Sequence, residues 1–257
     1  MKYLSTIFGI ALLFSSGCFI NDSRDDFNVV VDPTFPGAGQ VDMTWDLTGG
    51  ELDQSVGCPP NARTMQVTMV PEGRDCDDFD CYITCFNCTD GGGRTPDYIA
   101  PNDYDIFFSL SEAGLETACE DAGNVGLIAQ SDVFPILVNG LASIDVSFPV
   151  DGGFFESEYD IFDVNGAPLT CAQAGAAGFS YTSTLVSDSS VVALSDHACQ
   201  DGINAIQRSD KVTFGDWTVS RQLLNGVGAA LATDNTNGSI SFGNELVTLT
   251  PAQLQLQ

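Results

Sequence analysis

Val41-Asp42-Met43-Thr44-Trp45-Asp46-Leu47-Thr48 reads apolar, polar, apolar, polar without a break. Successive side chains of an extended chain point to opposite faces, so this period of two marks a strand with one face in a core and the other in water. The same alternation returns at Met65–Met69, at Tyr104–Leu110 and at Ile144–Phe148. After the turn-rich break Pro149-Val150-Asp151-Gly152-Gly153 it starts again, with Phe155, Ser157, Tyr159 and Ile161 opposed by Glu156, Glu158 and Asp160. Further strand candidates are 179–185, 191–194, 212–214, 217–223, 239–242 and 246–249. No long segment has a period of 3.6; Leu115–Asp121 and Leu169–Ala174 allow a turn or two of helix each. Short strands punctuated by Gly and Pro predict an all-β chain, which must close into sandwiches or barrels to bury one face of each sheet.

The pattern is also duplicated. A shift of 114 residues carries Trp45-Asp46-Leu47 onto Tyr159-Asp160-Ile161 and Val67 onto Tyr181, and a shift of 113 carries Cys58 onto Cys171 and Asp103-Tyr104 onto Asp216-Trp217. Landmarks sharing one displacement indicate tandem modules. The expected organisation is a signal peptide at 1–17, an anchor and tether at 18–40, one β-sandwich module with a cysteine-rich insertion at 41–150, and a second module at 151–257. Residues 21–40 are polar, Asp-rich and broken by Pro33, Pro36, Gly37 and Gly39, a composition too poor in apolar surface to fold alone.

Tyr3 to Phe14 is an apolar run of signal-peptide length behind Lys2, too short to span a bilayer, which takes about 20 residues. It ends on Ser15-Ser16-Gly17-Cys18, small residues that suit a peptidase pocket. This stretch resembles a bacterial lipoprotein signal, although Ser15 stands where that family usually has Leu. The resemblance implies cleavage before Cys18, lipidation of its thiol with a palmitate-like diacylglycerol group, and a place in the cell envelope, at the outer membrane. Each buried CH₂ of the acyl chains contributes about 0.8 kcal/mol, so several chains make a stable anchor.

Eight cysteines remain beyond Cys18: Cys58, Cys76, Cys81, Cys85, Cys88, Cys119, Cys171 and Cys199. An even number in an exported chain predicts four disulfides. The duplication pairs Cys171 with Cys199, and Cys58 with Cys85 or Cys88; the shift of 114 carries Cys199 onto Cys85. The other cysteines of the first module then form two bridges of open connectivity. The C-x-x-C at Cys85-Phe86-Asn87-Cys88 lacks a second pair at matching spacing, so it is not read as a zinc knuckle, and no cofactor is expected.

With 8 basic against 35 acidic residues the formal charge is −27, which repels phosphate backbones and excludes nucleic acid as a natural partner. Clustered carboxylates suit Ca²⁺, yet no segment fits an EF-hand loop. His197 is the only histidine, sits beside Cys199 and is read as a surface or loop residue; no nucleophile-elbow sequence accompanies it, and no catalytic residue is assigned. Gly91-Gly92-Gly93 has no Lys after it and is a turn, not a phosphate cradle. Tyr104 and Phe108 face the core with Ile106 and Leu110, while Phe107 alone points outwards.

The duplicated order of aromatic-Asp-aliphatic strand, Cys, strand, Cys and Asp-aromatic strand is similar to the tandem β-sandwich modules of surface lipoproteins from myxobacteria-like bacteria, which resemble transthyretin-like or immunoglobulin-like sandwiches. The resemblance covers roughly residues 40–257 and implies a non-enzymatic envelope lipoprotein with a structural or binding role. Its partners are the membrane, through Cys18, and a protein or glycan ligand. An exported adhesion or carbohydrate-binding protein, assisted by Ca²⁺, is the second reading.

Overall fold

The computed structural model describes residues 31–50, 52–74, 81–120, 126–200 and 205–256. Cys18, the signal segment and Cys76 lie outside them. The chain is all-β and forms two disulfide-bearing β-sandwiches in tandem. The first uses β1 (Val41–Gly49), β2 (Gln54–Ser55), β3 (Thr64–Pro71), β4 (Tyr82–Asn87), β5 (Gly92–Arg94), β6 (Asn102–Ser111), β7 (Leu127–Gln130), β8 (Phe134–Val138) and β9 (Ala142–Pro149), with one short helix, α1 (Leu115–Glu120). The second uses β10 (Gly152–Phe162), β11 (Ala176–Leu185), β12 (Val192–Ala198), β13 (Ala205–Arg208), β14 (Val212–Thr213), β15 (Gly215–Asn225), β16 (Ala230–Ile240), β17 (Leu246–Thr248) and β18 (Ala252–Gln255), with α2 (Cys171–Ala174).

Each sandwich repeats one topology. β3 lies between β4 and β6 and carries β7 and β8 beyond β6; β11 lies between β12 and β15 and carries β16 beyond β15. In the opposite sheet, β1 runs parallel to the last strand of its half, β9, and antiparallel to β5; β10 likewise runs parallel to β17 and β18 and antiparallel to β13. The registers show the duplication directly: Asp42 faces Arg94 across β1 and β5, and Glu156 faces Arg208 across β10 and β13, all displaced by 114. Buried side chains fall into two clusters, one holding Trp45, Val67, Phe108 and Phe148, the other Tyr159, Tyr181, Trp217 and Leu254.

Three features depart from the sequence reading. β16 runs from Ala230 rather than Ser239, because Thr233 to Asn237 is polar on both faces and gives no alternation, while its backbone is satisfied by β15 along its length. β4 and β8 carried no strong alternation and complete the first sandwich by pairing with β3 and β6. Residues 31–40, in the expected tether, are held to the first sandwich: Val31 N–H donates to Tyr98 O at 2.9 Å, and Gly39 and Ile99 exchange backbone bonds at 3.0 and 2.8 Å.

The halves are joined by only Val150 and Asp151 between β9 and β10, and they touch across a second contact. The loop after β16 lies along β7, where Gly243 N–H donates to Ile128 O at 2.7 Å and Gln130 N–H donates to Gly243 O at 3.0 Å. A Cβ on Gly243 would stand 2.6 Å from Val150 Cα and 2.8 Å from Pro149 O, so this approach requires glycine. Beside it Lys211 Nζ donates to Gly50 O at 2.8 Å and Asp151 at 2.9 Å and pairs with Asp53, while Asp151 also accepts from Gly50 N–H at 2.6 Å. One cation thus ties the β1–β2 turn, the linker and the second sandwich.

Partial burial works against the Lys211 charge, but the bonds from Asp53 and Asp151 outweigh it and lift its pKa above the ordinary 10.5. A raised folded-state value means the stabilisation is complete below pH 10.5 and is lost as pH rises through the folded value. Lys211→Met is expected to cost about 1 kcal/mol at pH 7, on the scale of charged hydrogen bonds half open to water, with the difference from wild type shrinking above the ordinary lysine range; urea melts at pH 7 and pH 11 read both. Gly243→Ala is expected to separate the halves at β7 while leaving each core intact, read as a larger radius of gyration by small-angle scattering with unchanged far-ultraviolet circular dichroism.

Candidate functional site

An aromatic side chain on the first strand of each sandwich meets a disulfide corner. In the first, Trp45 Nε1–H donates to Cys88 O at 3.1 Å, and Cys88 is bonded to Cys58. In the second, Tyr159, displaced by 114 from Trp45, accepts at its hydroxyl from Gln200 N–H at 2.9 Å, beside the Cys171–Cys199 bridge. Both rings are buried and packed on other rings: Trp45 against Phe86 and Phe108, Tyr159 stacked on Phe179 at 4.4 Å between centroids. Each corner closes a loop spanning about 30 residues, which constrains the unfolded chain by about 3 kcal/mol.

The corner pairs Cys58 with Cys88, and Cys85 with Cys119 instead. The strand registers explain why the counterpart of Cys199 is Cys88, when the constant shift pointed to Cys85. Met65 faces Phe86 and Phe179 faces His197; Met65 and Phe179 correspond under 114, so β4 corresponds to β12 under 111. The β3–β4 connection has three more residues than β11–β12, and the displacement changes there. Cys81 is also disulfide-bonded.

Under the shift of 111, Cys81 just before β4 and the outward-facing Ile83 and Cys85 of β4 correspond to Val192, Leu194 and Asp196 of β12. The two faces have diverged. On the first sandwich the segment after β6 lies over the sheet: Thr64 Oγ1–H donates to Ala113 O at 2.8 Å, Gln66 Nε2–H donates to Ala118 O, and Cys119 is bonded to Cys85. Gln66, Thr68 and Ser109 face away from the core by alternation, yet all are buried. On the second sandwich β15 and β16 are joined by a tight hairpin in which the Asn225 side chain accepts from Val227 and Ala229 N–H, so that this connection does not extend over the sheet as the one after β6 does. Val192 and Leu194 are accordingly 49% and 65% exposed, against 8% for Cys81.

The second core holds a charge that sequence reading missed. Arg221 corresponds to Phe108 under the shift of 113 and occupies an inward position between Val219 and Leu223, where alternation alone marks it as buried. It is 1% exposed, pairs with Asp234, and donates to Ser157 Oγ at 2.5 Å and to Thr250 O, while its buried Nε has no partner among the described residues. Its donors therefore cross from the β15–β16 sheet to the opposite one. Tyr181 O–H also crosses, donating to Gln207 O at 2.7 Å, and burial pushes its phenol pKa well above the ordinary 10.0.

His197, expected at the surface or in a loop, is on β12, half-buried, with its ring edge-on to Tyr181 at 6.0 Å and its buried Nε2 without a partner among the described residues. Tyr104, Phe108 and Trp217 are core residues, and Phe107 is half-buried rather than a free platform. Among the described residues no three His, Cys, Asp or Glu side chains gather at metal-binding distance, and no helix is long and apolar enough to cross a membrane.

No family model matches the chain, and no curated protein does. Among solved structures, a leucine-rich repeat protein from Bacteroides thetaiotaomicron overlaps 86% of this chain with a TM-score of 0.31 and 10% identity; this chain spans only 26% of that one. The minor pilin GBS52 of Streptococcus agalactiae gives a TM-score of 0.29 and 8% identity over 85% of this chain and 96% of its own. The fimbrial anchor protein Mfa2 of Porphyromonas gingivalis gives 0.28 and 8% over 77% and 82%. Similarity at this level carries no conclusion about fold or function.

Arg221→Met is expected to destabilise the second sandwich by about 3 kcal/mol, since Asp234, Ser157 and Thr250 O all lose their donor. Arg221→Met with Asp234→Leu is expected to recover most of that loss, because an apolar pair replaces a buried ion pair at little net cost. Guanidinium melts of wild type and both variants measure this; equal losses in single and double variants would show that the charge pair is not what holds the strands.

Proposed function

We propose that this chain is a non-enzymatic exported lipoprotein, anchored in the cell envelope through Cys18, whose two sandwiches present a binding surface beyond the membrane. The observation that carries the reading is the state of the cysteines: all seven described ones, Cys58, Cys81, Cys85, Cys88, Cys119, Cys171 and Cys199, are disulfide-bonded. Such density belongs to oxidising compartments. A formal charge of −27 suits an exported, soluble surface and repels phosphate backbones and anionic lipid headgroups, so attachment falls to the lipid rather than to the protein's own charge. Residues 18–30 then supply the spacer between membrane and first sandwich, and the outer membrane is the expected site. The ligand is a protein segment or a glycan met at the sheet faces, where the two halves differ most.

Extraction from the producing cell and intact-mass measurement test the anchor. The expected mature chain begins at Cys18, carries a diacylglycerol thioether on its sulfur and has its eight other cysteines oxidised. Cys18→Ala is expected to move the protein from the membrane to the soluble fraction. A mature chain starting downstream of Cys18 would sink the lipoprotein reading while leaving an exported binding protein in place.

A further inference from the structure

The outer sheet of the second sandwich ends in a strand with one side unused. Among the described residues β12 pairs only with β11. Leu185 N–H donates to Val191 O and Cys199 N–H donates to Ala177 O, so the odd-numbered residues of β12 spend their backbone groups on β11. By the antiparallel alternation the N–H and C=O groups of Val192, Leu194, Asp196 and Ala198 point the other way, along the free edge. Edges of this kind are normally blunted by lysine, proline, a bulge or a covering segment. Here the edge residues are Val192-Ala193-Leu194-Ser195-Asp196-His197-Ala198, in regular register with β11 from end to end. The exposed side chains are apolar at Val192, Leu194 and Ala198 and acidic at Asp196, with Val186 and Val191 beside them at the hairpin.

The surrounding face has little charge for a chain of −27. Alternation places Ser180, Thr182 and Thr184 of β11, Thr218, Ser220 and Gln222 of β15, and Thr233, Asn235 and Asn237 of β16 on it, with carboxylates at Asp196 and Asp216 only. The sibling sheet shows what such a face accommodates. In the first sandwich it is covered by polypeptide, held by side-chain bonds to the backbone carbonyls of Ala113 and Ala118 and stapled at Cys85. At the same positions the second sandwich has Asp196 for Cys85 and Val192 for Cys81. Among the described residues it has the face without the cover.

We propose that the free edge of β12 is a docking site for an extended segment of another polypeptide, added as a strand, with apolar side chains against Val192 and Leu194 and a basic residue beside Asp196. Strand addition supplies affinity through the main chain and specificity through alternate side chains. A second copy of this chain is disfavoured as the occupant, because each copy brings a formal charge of −27 to the encounter. The inference rests on the binding role proposed above but not on the anchor, so its failure and that of the lipid attachment are separable.

The test is hydrogen–deuterium exchange of the full chain in detergent, with and without a short synthetic peptide of alternating valine and threonine carrying one central lysine. At saturating peptide, exchange in fragments covering 191–199 is expected to slow about tenfold, with no change in fragments covering β8. The same peptide with glutamate for lysine is expected to protect less, and Leu194→Lys, at an exposed position that does not disturb the core, is expected to abolish protection. Absence of slowing, slowing that Leu194→Lys leaves intact, or slowing that rises with protein concentration before peptide is added would each overturn the proposal, the last by making the occupant a second copy.

Discussion

The ring of the first strand seated on a disulfide corner is the constraint on which both halves depend. Trp45 and Tyr159 stand at the centre of β1 and β10, the strands that hold the first sheet of each sandwich together by pairing on both sides. Their polar atoms reach across the core to the backbone at Cys88 and Gln200 in the opposite layer. A buried indole N–H or phenol O–H needs a partner, and placing that partner at a bridged cysteine fixes the depth and tilt of one sheet on the other. The covalent bridge keeps the backbone partner in place, Cys88 O as acceptor in the first sandwich and Gln200 N–H as donor in the second, and the packed rings fill the volume around it. The aromatic-Asp-aliphatic signature that revealed the duplication is therefore the sequence trace of a packing requirement, with Asp46 and Asp160 on the opposite face of the strand.

Duplication supplied two equal frames, and divergence gave them different work. The first sandwich has a longer β3–β4 connection, and its segment carrying α1 is tied to β4 through the Cys85–Cys119 bridge. The second kept tight hairpins and an open sheet, and replaced the aromatic Phe108 of its sibling by Arg221. That substitution trades dispersion for hydrogen bonds that cross the sandwich, and it obliges β16 to bring Asp234 inwards on an otherwise polar strand. A core built this way gains directional constraint where the first gains shape complementarity, because an unpaired buried guanidinium would be far more costly than a small void.

Charge tells a consistent story. Basic groups are few, and the structure places them beside carboxylates: Arg94 with Asp42, Lys211 with Asp53 and Asp151, Arg221 with Asp234, Arg208 within 3.8 Å of Asp132. Two of these, at Lys211 and Arg208, cross between the halves, so scarce cations are placed where acidic surfaces would otherwise repel one another. The outer face of the second sandwich, carrying among the described residues neither cations nor more than two carboxylates, stands apart from the rest of the surface for this reason.

Alternation at Val41–Thr48 and its repeats determined the all-β class and most core positions from sequence alone, because a half-buried strand cannot hide a period of two. The constant displacement determined that there are two copies of one unit, since insertions fall in connections and leave strand patterns intact. Hairpin length escaped the sequence: three extra residues between β3 and β4 moved the partner of Cys58 from Cys85 to Cys88, and only the pairing of Met65 with Phe86 reveals it. β16 and the Arg221–Asp234 pair escaped for the same reason as each other, as a polar strand and a charged core residue both go against pattern until a facing partner satisfies them. That Val192 and Leu194 are bare while Cys81 is covered is likewise a property of the tertiary structure alone, because exposure depends on what lies over a residue, and a segment more than thirty positions away along the chain is what covers the first sheet.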